Sequence, residues 1–360
     1  MTRRAFVHRL PAEAPDDMSA LTARLRAGEI EARAVVAILG KTEGNGCVND
    51  WSRGFATRAL SDALAHEGAD PDTVCLVMSG GTEGGLSPHF VVFEARAADE
   101  HSQAGALAVG RARTPRLAYE HLGRLPQVDM VAAGVQAAMR DAGLDRPEDV
   151  HFVQIKCPLL TAGRMRQADT ATRDTLKSMG LSRGASALGA GVALGEIDRE
   201  QLRDDAIGRD FSLFSRRAST SAGVELEDHE IVVLGAAPSG WAGPLRVDHA
   251  VMADGLDVEP VRAALARLGL PTAGQLSPDH SARVVALLAK AEASASGLLR
   301  GKRHTMLNDS DISSTRHARG FVAGALGALI GHAEIYVSGG AEHQGPDGGG
   351  PVAVIVEAFP

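Results

Sequence analysis

Val337-Ser338-Gly339-Gly340-Ala341-Glu342 stands near the end of a chain of 360 residues. It reads as the tail of a strand running into Ser-Gly-Gly-x-Glu. The same pattern occurs as Met78-Ser79-Gly80-Gly81-Thr82-Glu83, and in a worn copy as Thr220-Ser221-Ala222-Gly223-Val224-Glu225. Working outward from each serine brings in two more recurrences. An apolar run ends in lysine at Lys41, Lys156 and Lys290. An Arg-Gly pair follows at Arg53-Gly54, Arg183-Gly184 and Arg319-Gly320. Each unit therefore predicts strand, helix, strand ending in Lys, helix opened by Arg-Gly, strand ending in Ser, and return strand. The period is far longer than a solenoid repeat. An α/β (α+β) fold of three concatenated domains about a pseudo-threefold axis, with a central β-barrel-like core, is the expectation. The units are 1–104, 105–243 and 244–360, with linkers near 95–105 and 236–244 where the chain turns polar and carries Gly and Pro.

Bulk composition narrows the function. Hydrophobic residues make up 44% of the chain and aromatics only 4%, so a base-stacking nucleic-acid surface is disfavoured. A formal charge of −8 leaves no electrostatic footprint for nucleic acid or an anionic membrane. No stretch approaches the ~20 apolar residues of a membrane span. Cys47, Cys75 and Cys157 are widely spaced and lack a CxxC pattern, which reads as reduced thiols in the cytoplasm. His89, His229 and His343 have no ligand spacing, and no clustered His/Asp set is visible to suit a metal-activated water.

The recurring residues carry a chemistry. A serine hydroxyl is a weak nucleophile until a neighbour accepts its proton. Lysine can do this when desolvation or nearby positive charge lowers its pKa. Three lysines and three arginines in one cleft would supply that charge. The Gly-Gly after Ser79 and Ser338 frees the backbone to aim N–H groups at a carbonyl oxygen, as an oxyanion hole requires. A threefold set of donors suits a ligand of threefold pseudo-symmetry with several carbonyls.

Longer motifs sharpen the reading. Gly40-Lys41-Thr42-Glu43-Gly44-Asn45-Gly46-Cys47-Val48-Asn49-Asp50, the run 78–89, Val153-Gln154-Ile155-Lys156-Cys157-Pro158-Leu159-Leu160, Arg303-His304-Thr305-Met306-Leu307, Ser314-Thr315-Arg316-His317-Ala318-Arg319 and the run 338–351 closely resemble the cyanuric acid hydrolase/barbiturase family of ring-opening amidohydrolases. The resemblance implies one central site. Arg53, Ser79-Gly80, Arg183, Ser221-Ala222, Arg319 and Ser338-Gly339 would bind the ring. Ser221 would be the nucleophile, Lys156 its base, and Lys41 and Lys290 would complete the other dyads. It further implies cyanuric acid as substrate, with barbituric acid as the alternative, and no catalytic cofactor. A structural Mg²⁺ or Ca²⁺ would sit on Glu292 and oxygens at Ala341, Gln344, Gly345, Pro346 and Gly349. The partner is a small cyclic imide, and the resemblance implies a homotetramer.

Overall fold

A computed structural model describes residues 1–358. The chain runs through β1 (Thr2–Pro11), α1 (Ser19–Arg26), β2 (Val35–Thr42), α2 (Trp51–His66), β3 (Cys75–Gly80), β4 (His89–Ala98) and β5 (Ala106–Arg113). There follow α3 (Leu125–Ala142), β6 (Val150–Pro158), α4 (Ala162–Met165), α5 (Thr175–Ala193), β7 (Ala218–Gly223), β8 (Glu230–Ala237), β9 (Trp241–Ala242) and β10 (Leu245–Met252). The last part comprises α6 (Glu259–Arg267), α7 (Pro278–Ala282), β11 (Val284–Ala291), β12 (Leu298–Leu299), β13 (Lys302–Arg303), α8 (Ser314–Ile330), β14 (Tyr336–Gly339) and β15 (Gly350–Glu357).

The strands make a mixed α/β fold with one sheet order used three times. β3-β2-β4-β1, β7-β6-β8-β5 and β14-β11-β15-β10 are the same arrangement, first strand beside fourth, fourth beside second, second beside third. The second and third strands are parallel, so a crossover must join them, and α2, α5 and α8 lie in those crossovers. The register is also shared: Lys41 lies opposite Ser79, Lys156 opposite Ser221, and Lys290 opposite Ser338. The second strands are apolar on both faces because both are covered, as β2 with its eight buried residues illustrates. One face of the first sheet packs with Leu21, Leu60 and Phe90 under its helices, and the third does the same with Val261, Leu265 and Leu326. A further apolar cluster draws on all three sheets, with Val77, Val153 and Tyr336 among its members.

The strands do not close into one hydrogen-bonded barrel among the described residues; they form three such sheets and the short β12-β13 ribbon. Two further expectations change. The 95–105 and 236–244 segments are more structured than their Gly and Pro content suggests. β4 runs on to Ala98, and β9 pairs with β1 at Arg3 and Arg4. Arg3 stacks on the buried Trp241, whose Nε1 donates to the Ala142 carbonyl at 2.7 Å. Arginines also do not uniformly open helices. Arg53 is third in α2, behind the Asp50 cap, but Arg183 is ninth in α5 and Arg319 sixth in α8. The side chain of Asp174 caps the Lys177 N–H and starts α5 well upstream.

The contacts between sheets repeat with one departure. Arg9, Arg111 and His249 occupy the same place in their sheets, opposite Val91, Val232 and Ala353. Arg9 donates to the Val284 carbonyl at 3.1 Å and Arg111 to the Val35 carbonyl at 3.0 Å, each at the start of another sheet's second strand. The third place uses a histidine, whose Nδ1 lies 3.0 Å from Nδ1 of His151 at the start of β6.

One buried acid sets a pH dependence of stability. Glu230 accepts the Leu76 N–H at 2.8 Å, and burial pushes its carboxyl from an ordinary 4.5 to about 7, with Arg113 opposing. A folded pKa above the unfolded one means the folded state loses stability as pH rises from 4.5 through 7. Glu230→Gln removes that titration while keeping an acceptor for Leu76. Its melting temperature relative to the parent is expected to rise between pH 5 and pH 8, by no more than about 3 kcal/mol of stability. A difference that stays constant over that range would contradict the assignment.

Candidate active site

The three lysines are buried to 1% exposure or less, although each ends in an amine that is ionised in water. Their heads form a ring of contacts between sheets. Lys41 Nζ donates to the Val337 carbonyl at 2.9 Å, Lys156 to Met78 at 2.5 Å, and Lys290 to Thr220 at 2.6 Å. Each acceptor immediately precedes a motif serine on a different sheet. Burial disfavours the charged form in all three. Lys41 is pulled well below the ordinary lysine value, with Arg319 adding to burial. Lys290 falls to about 7, burial first and then Arg183. Lys156 is lowered by burial, but Glu225 opposes the shift.

The serines are not equivalent. Lys41 Nζ reaches Ser79 Oγ at 3.4 Å, and Lys290 Nζ reaches Ser338 Oγ at 3.2 Å. Ser221 Oγ is buried without a well-formed hydrogen bond, as is the hydroxyl of Tyr336. Burial raises the Tyr336 phenol, and the Ser221 and Ser79 hydroxyls beside it pull the other way. By burial alone Lys41 and Lys290 are at least as well suited to act as bases as Lys156. The distinction of the second set lies in which polar atoms are left open.

The arginines face the serines from the crossover helices. Arg183 donates Nε and Nη2 to Glu342 at 2.8 and 2.6 Å. Arg319 does the same to Glu83, both at 2.7 Å. Such fork-to-fork pairs fix the guanidinium plane. Arg53 instead donates to the carbonyls of Ala222 and Cys47 at 3.2 and 2.7 Å, and its buried Nε makes no hydrogen bond, lying 3.8 Å from Glu225 Oε1. A cavity of about 570 Å³ opens among α5, α8 and the loops after β2 and β14, lined by Arg183, Arg319, Gly339, Glu342 and Cys47 among others; the dyad serines and lysines do not line it, and Lys156 and Glu225 line a separate cavity of about 180 Å³ with Arg113 and Glu230. The size of the larger suits a small-molecule site. The glycines serve partly as spacers. A Cβ on Gly80 would lie 1.6 Å from Asp50 Oδ2. The N–H of Gly81 is taken by the Thr42 carbonyl at 2.8 Å, so it is not free for an oxyanion.

Residues 6–357 match a family model described as "Amidohydrolase ring-opening protein". The chain belongs to this family. A cyanuric acid amidohydrolase of Bradyrhizobium sp. (strain ORS 375) is 59% identical over 366 residues, covering 99% of this chain and 98% of the relative. A crystal structure described as cyanuric acid hydrolase from A. caulinodans matches with a TM-score of 0.92 and 58% identity, over 99% of this chain and 100% of that one. A second solved structure, "Cyanuric acid hydrolase: evolutionary innovation by structural concatenation", matches with a TM-score of 0.94 and 45% identity, over 99% and 100% of the two chains.

As a ring-opening amidohydrolase the chain has a C-terminal loop to account for. Glu292 is half-buried, its carboxyl raised by desolvation and by Glu342. Its Oε1 accepts the Ala293 N–H at 3.0 Å. His343, Gly345 and Gly348 turn the following loop with positive φ, and a Cβ on Gly349 would lie 2.0 Å from the Met252 carbonyl. The carbonyls of Ala341 and Pro346 accept the N–H groups of Gln344 and Gly349, both at 2.9 Å. The Gln344 side chain is engaged elsewhere: its Oε1 accepts the Thr220 N–H at 2.6 Å, beside Ser221. Only its main-chain oxygen is left for a cation. A half-buried carboxylate with surplus negative charge beside a carbonyl-rich loop is a donor set that fits a hard cation.

Several residues of this family site escape a reading by motif. The glutamate of each motif copy holds an arginine or a lysine, and its recurrence four residues after each serine was the available signal. Tyr336 has no counterpart in the other copies, where Val77 and Ser219 stand. The expected absence of a His/Asp cluster is corrected: His151, Asp248 and His249 offer ligand atoms within 4.8 Å of one another, brought together from β6 and β10. Asp248 is 2.5 Å from Arg267 Nε and 3.4 Å from His151. His229 and His343 are packing residues, bonded to Thr114 at 3.0 Å and to Leu213 O at 2.6 Å. No helix among the described residues is long and apolar enough to cross a membrane.

Proposed function

We propose that the chain is a cyanuric acid amidohydrolase that opens the ring to carboxybiuret, which loses CO₂ to give biuret. The observation that carries the reading is where buried polar atoms lack well-formed hydrogen bonds. Ser221 Oγ, Arg53 Nε and the Tyr336 hydroxyl are all buried without a hydrogen bond of good geometry, the two hydroxyls lying beside each other and Arg53 Nε 3.8 Å from Glu225 Oε1. Buried polar groups are normally satisfied, and a planar ring of alternating N–H and C=O groups supplies such partners. The recurring sheet order, the shared Lys–Ser register and the ring of lysine contacts support three units, 1–104, 105–243 and 244–360, around a pseudo-threefold axis that matches the threefold ring.

The chemistry assigned to these residues is as follows. Neutral Lys156 takes the proton of Ser221 as Oγ bonds to a ring carbonyl carbon. The carbonyl electron pair moves onto oxygen, stabilised by main-chain N–H groups and an arginine. The C–N bond then breaks as Lys156 protonates the leaving nitrogen, and water hydrolyses the acyl-enzyme. Arg53, Arg183 and Arg319, with Ser79, Ser338 and the chain at Gly80, Ala222 and Gly339, hold the remaining carbonyls. Lys41 and Lys290 keep the other two serines hydrogen-bonded. A Mg²⁺ or Ca²⁺ bound by Glu292 and the main-chain oxygens of Ala341, Gln344, Gly345, Pro346 and Gly349 would supply charge neutralisation for the loop after Ser338. Family resemblance extends the proposal to a homotetramer in the cytoplasm.

Turnover of cyanuric acid and of barbituric acid by the purified chain tests the substrate assignment. Cyanuric acid is expected to be the faster; preference for barbituric acid would transfer the reading to barbiturase. Chelation is expected to lower the melting temperature by about 3 °C or more, since a cation held by the folded state stabilises it. Glu292→Gln should show the lower melting temperature without chelator. Immediate loss of ring opening on chelation, with the melting temperature unchanged, would make the cation catalytic.

A further inference from the structure

Glu83, Glu225 and Glu342 stand four residues after their serines and look alike in sequence. Two of them grip arginines through both oxygens, Glu83 on Arg319 and Glu342 on Arg183. Glu225 does not. Its Oε1 lies 3.8 Å from Arg53 Nε but only 2.7 Å from Lys156 Nζ. Among the described residues neither Lys41 nor Lys290 has a carboxylate within ion-pair distance. The lysine beside the open serine is thus the one given an acid.

We infer that Glu225 is a positioning residue that tethers Lys156 Nζ on the strand beside Ser221 and sets the pH at which that amine becomes free to act as a base. The inference rests on the Ser221–Lys156 assignment above. The side chains of Lys156 and Glu225 are 1% and 9% exposed. Burial lowers the proton affinity of Lys156 and Glu225 raises it, while Lys156 and Arg53 hold the Glu225 carboxyl below its ordinary value. Glu225 stays ionised, and Lys156 acts once it has lost its own proton to solvent. Ser221 gives its proton to Lys156 as the Oγ–C bond forms. Lys156 passes that proton to the leaving nitrogen as the C–N bond breaks. In deacylation Lys156 takes a proton from water and returns it to Ser221 Oγ. Glu225 stays ionised throughout, and the amine ends neutral. Other titratable groups around the pair are Arg53 on α2, Cys157 on β6, Glu230 on β8, Arg113 on β5 and Tyr336 on β14.

The test is the pH profile of kcat for Glu225→Gln, Glu225→Asp and Glu342→Gln. In the parent, kcat should rise with pH as Lys156 loses its proton. Glu225→Gln removes the tether, so kcat above that limb should drop about 10²-fold with KM little changed. It also removes the carboxylate that raises the proton affinity of Lys156, so the acid limb should move at least about one unit to lower pH. Glu225→Asp keeps a carboxylate and should keep the limb in place, with a smaller loss from the shortened reach; it carries the test if the glutamine variant does not fold. Glu342→Gln, which loosens Arg183, should act mainly on KM. Glu225→Gln with the parent's kcat and profile would overturn the inference, as would equal losses in both Glu225 variants with unmoved limbs. Activity surviving in Ser221→Ala would instead remove the dyad assignment itself.

Discussion

Ser221→Ala is expected to lose ring opening by about 10⁴-fold or more in kcat, the scale seen when a nucleophile is removed from a site that retains its binding groups. The change deletes one buried hydroxyl that makes no well-formed hydrogen bond, so the melting temperature should hardly move. Binding of the ring should survive, because Arg183 and Arg319 remain locked by their glutamates. Ser79→Ala and Ser338→Ala provide the contrast. Each removes a hydroxyl that accepts from a lysine and, in the proposed complex, contacts a carbonyl that does not react. A loss of about tenfold is expected for each, the worth of one hydrogen bond. Steady-state kinetics on the three variants decide the matter. Equal losses in all three would mean that the serines act as a symmetric cradle, and a collapse confined to Ser338→Ala would move the chemistry to the Lys290 set.

Lys156→Met is expected to lower kcat by about 10³-fold, because positioned proton transfer contributes on that scale. Methionine is close to the lysine stem in volume and needs no partner for a buried charge. Glu225 would then be left without Lys156, but Arg53, its other ion-pair partner with Nε 3.8 Å away, can take the carboxylate. Stability should therefore fall little, far less than the 3–5 kcal/mol of an orphaned buried charge. Thermal melting beside kcat separates the two effects. A variant that melts near the parent temperature and still turns over at the parent rate would exclude Lys156 as the base.

The parts of the site written as buried strands were readable in the sequence. Val35–Thr42 and Cys75–Gly80 announce themselves as short apolar runs, and their ends place Lys41 opposite Ser79. Repetition of the pattern settles the strand assignment of Val284–Ala291, which its periodicity alone leaves open. Helix starts were less legible. Asp174 caps α5 from within a polar insertion, so Arg183 is carried into the middle of the helix rather than onto its first turn. Least legible were features made by tertiary contact. Glu83, Glu225 and Glu342 share one motif position, and only packing diverts Glu225 from arginine to lysine. His151 and His249 lie on different sheets, and their approach follows from a histidine occupying the place where Arg9 and Arg111 stand elsewhere.

A crystal structure of the chain with a cyclic ring analogue bound tests the central claim most directly. The expected result is a ring held among Arg53, Arg183 and Arg319 with Ser221 Oγ about 3–3.5 Å from a carbonyl carbon, while Ser79 and Ser338 meet carbonyl oxygens from the side. A ring bound elsewhere, or one that presents its carbonyl carbon to Ser79 or Ser338 and not to Ser221, would contradict it.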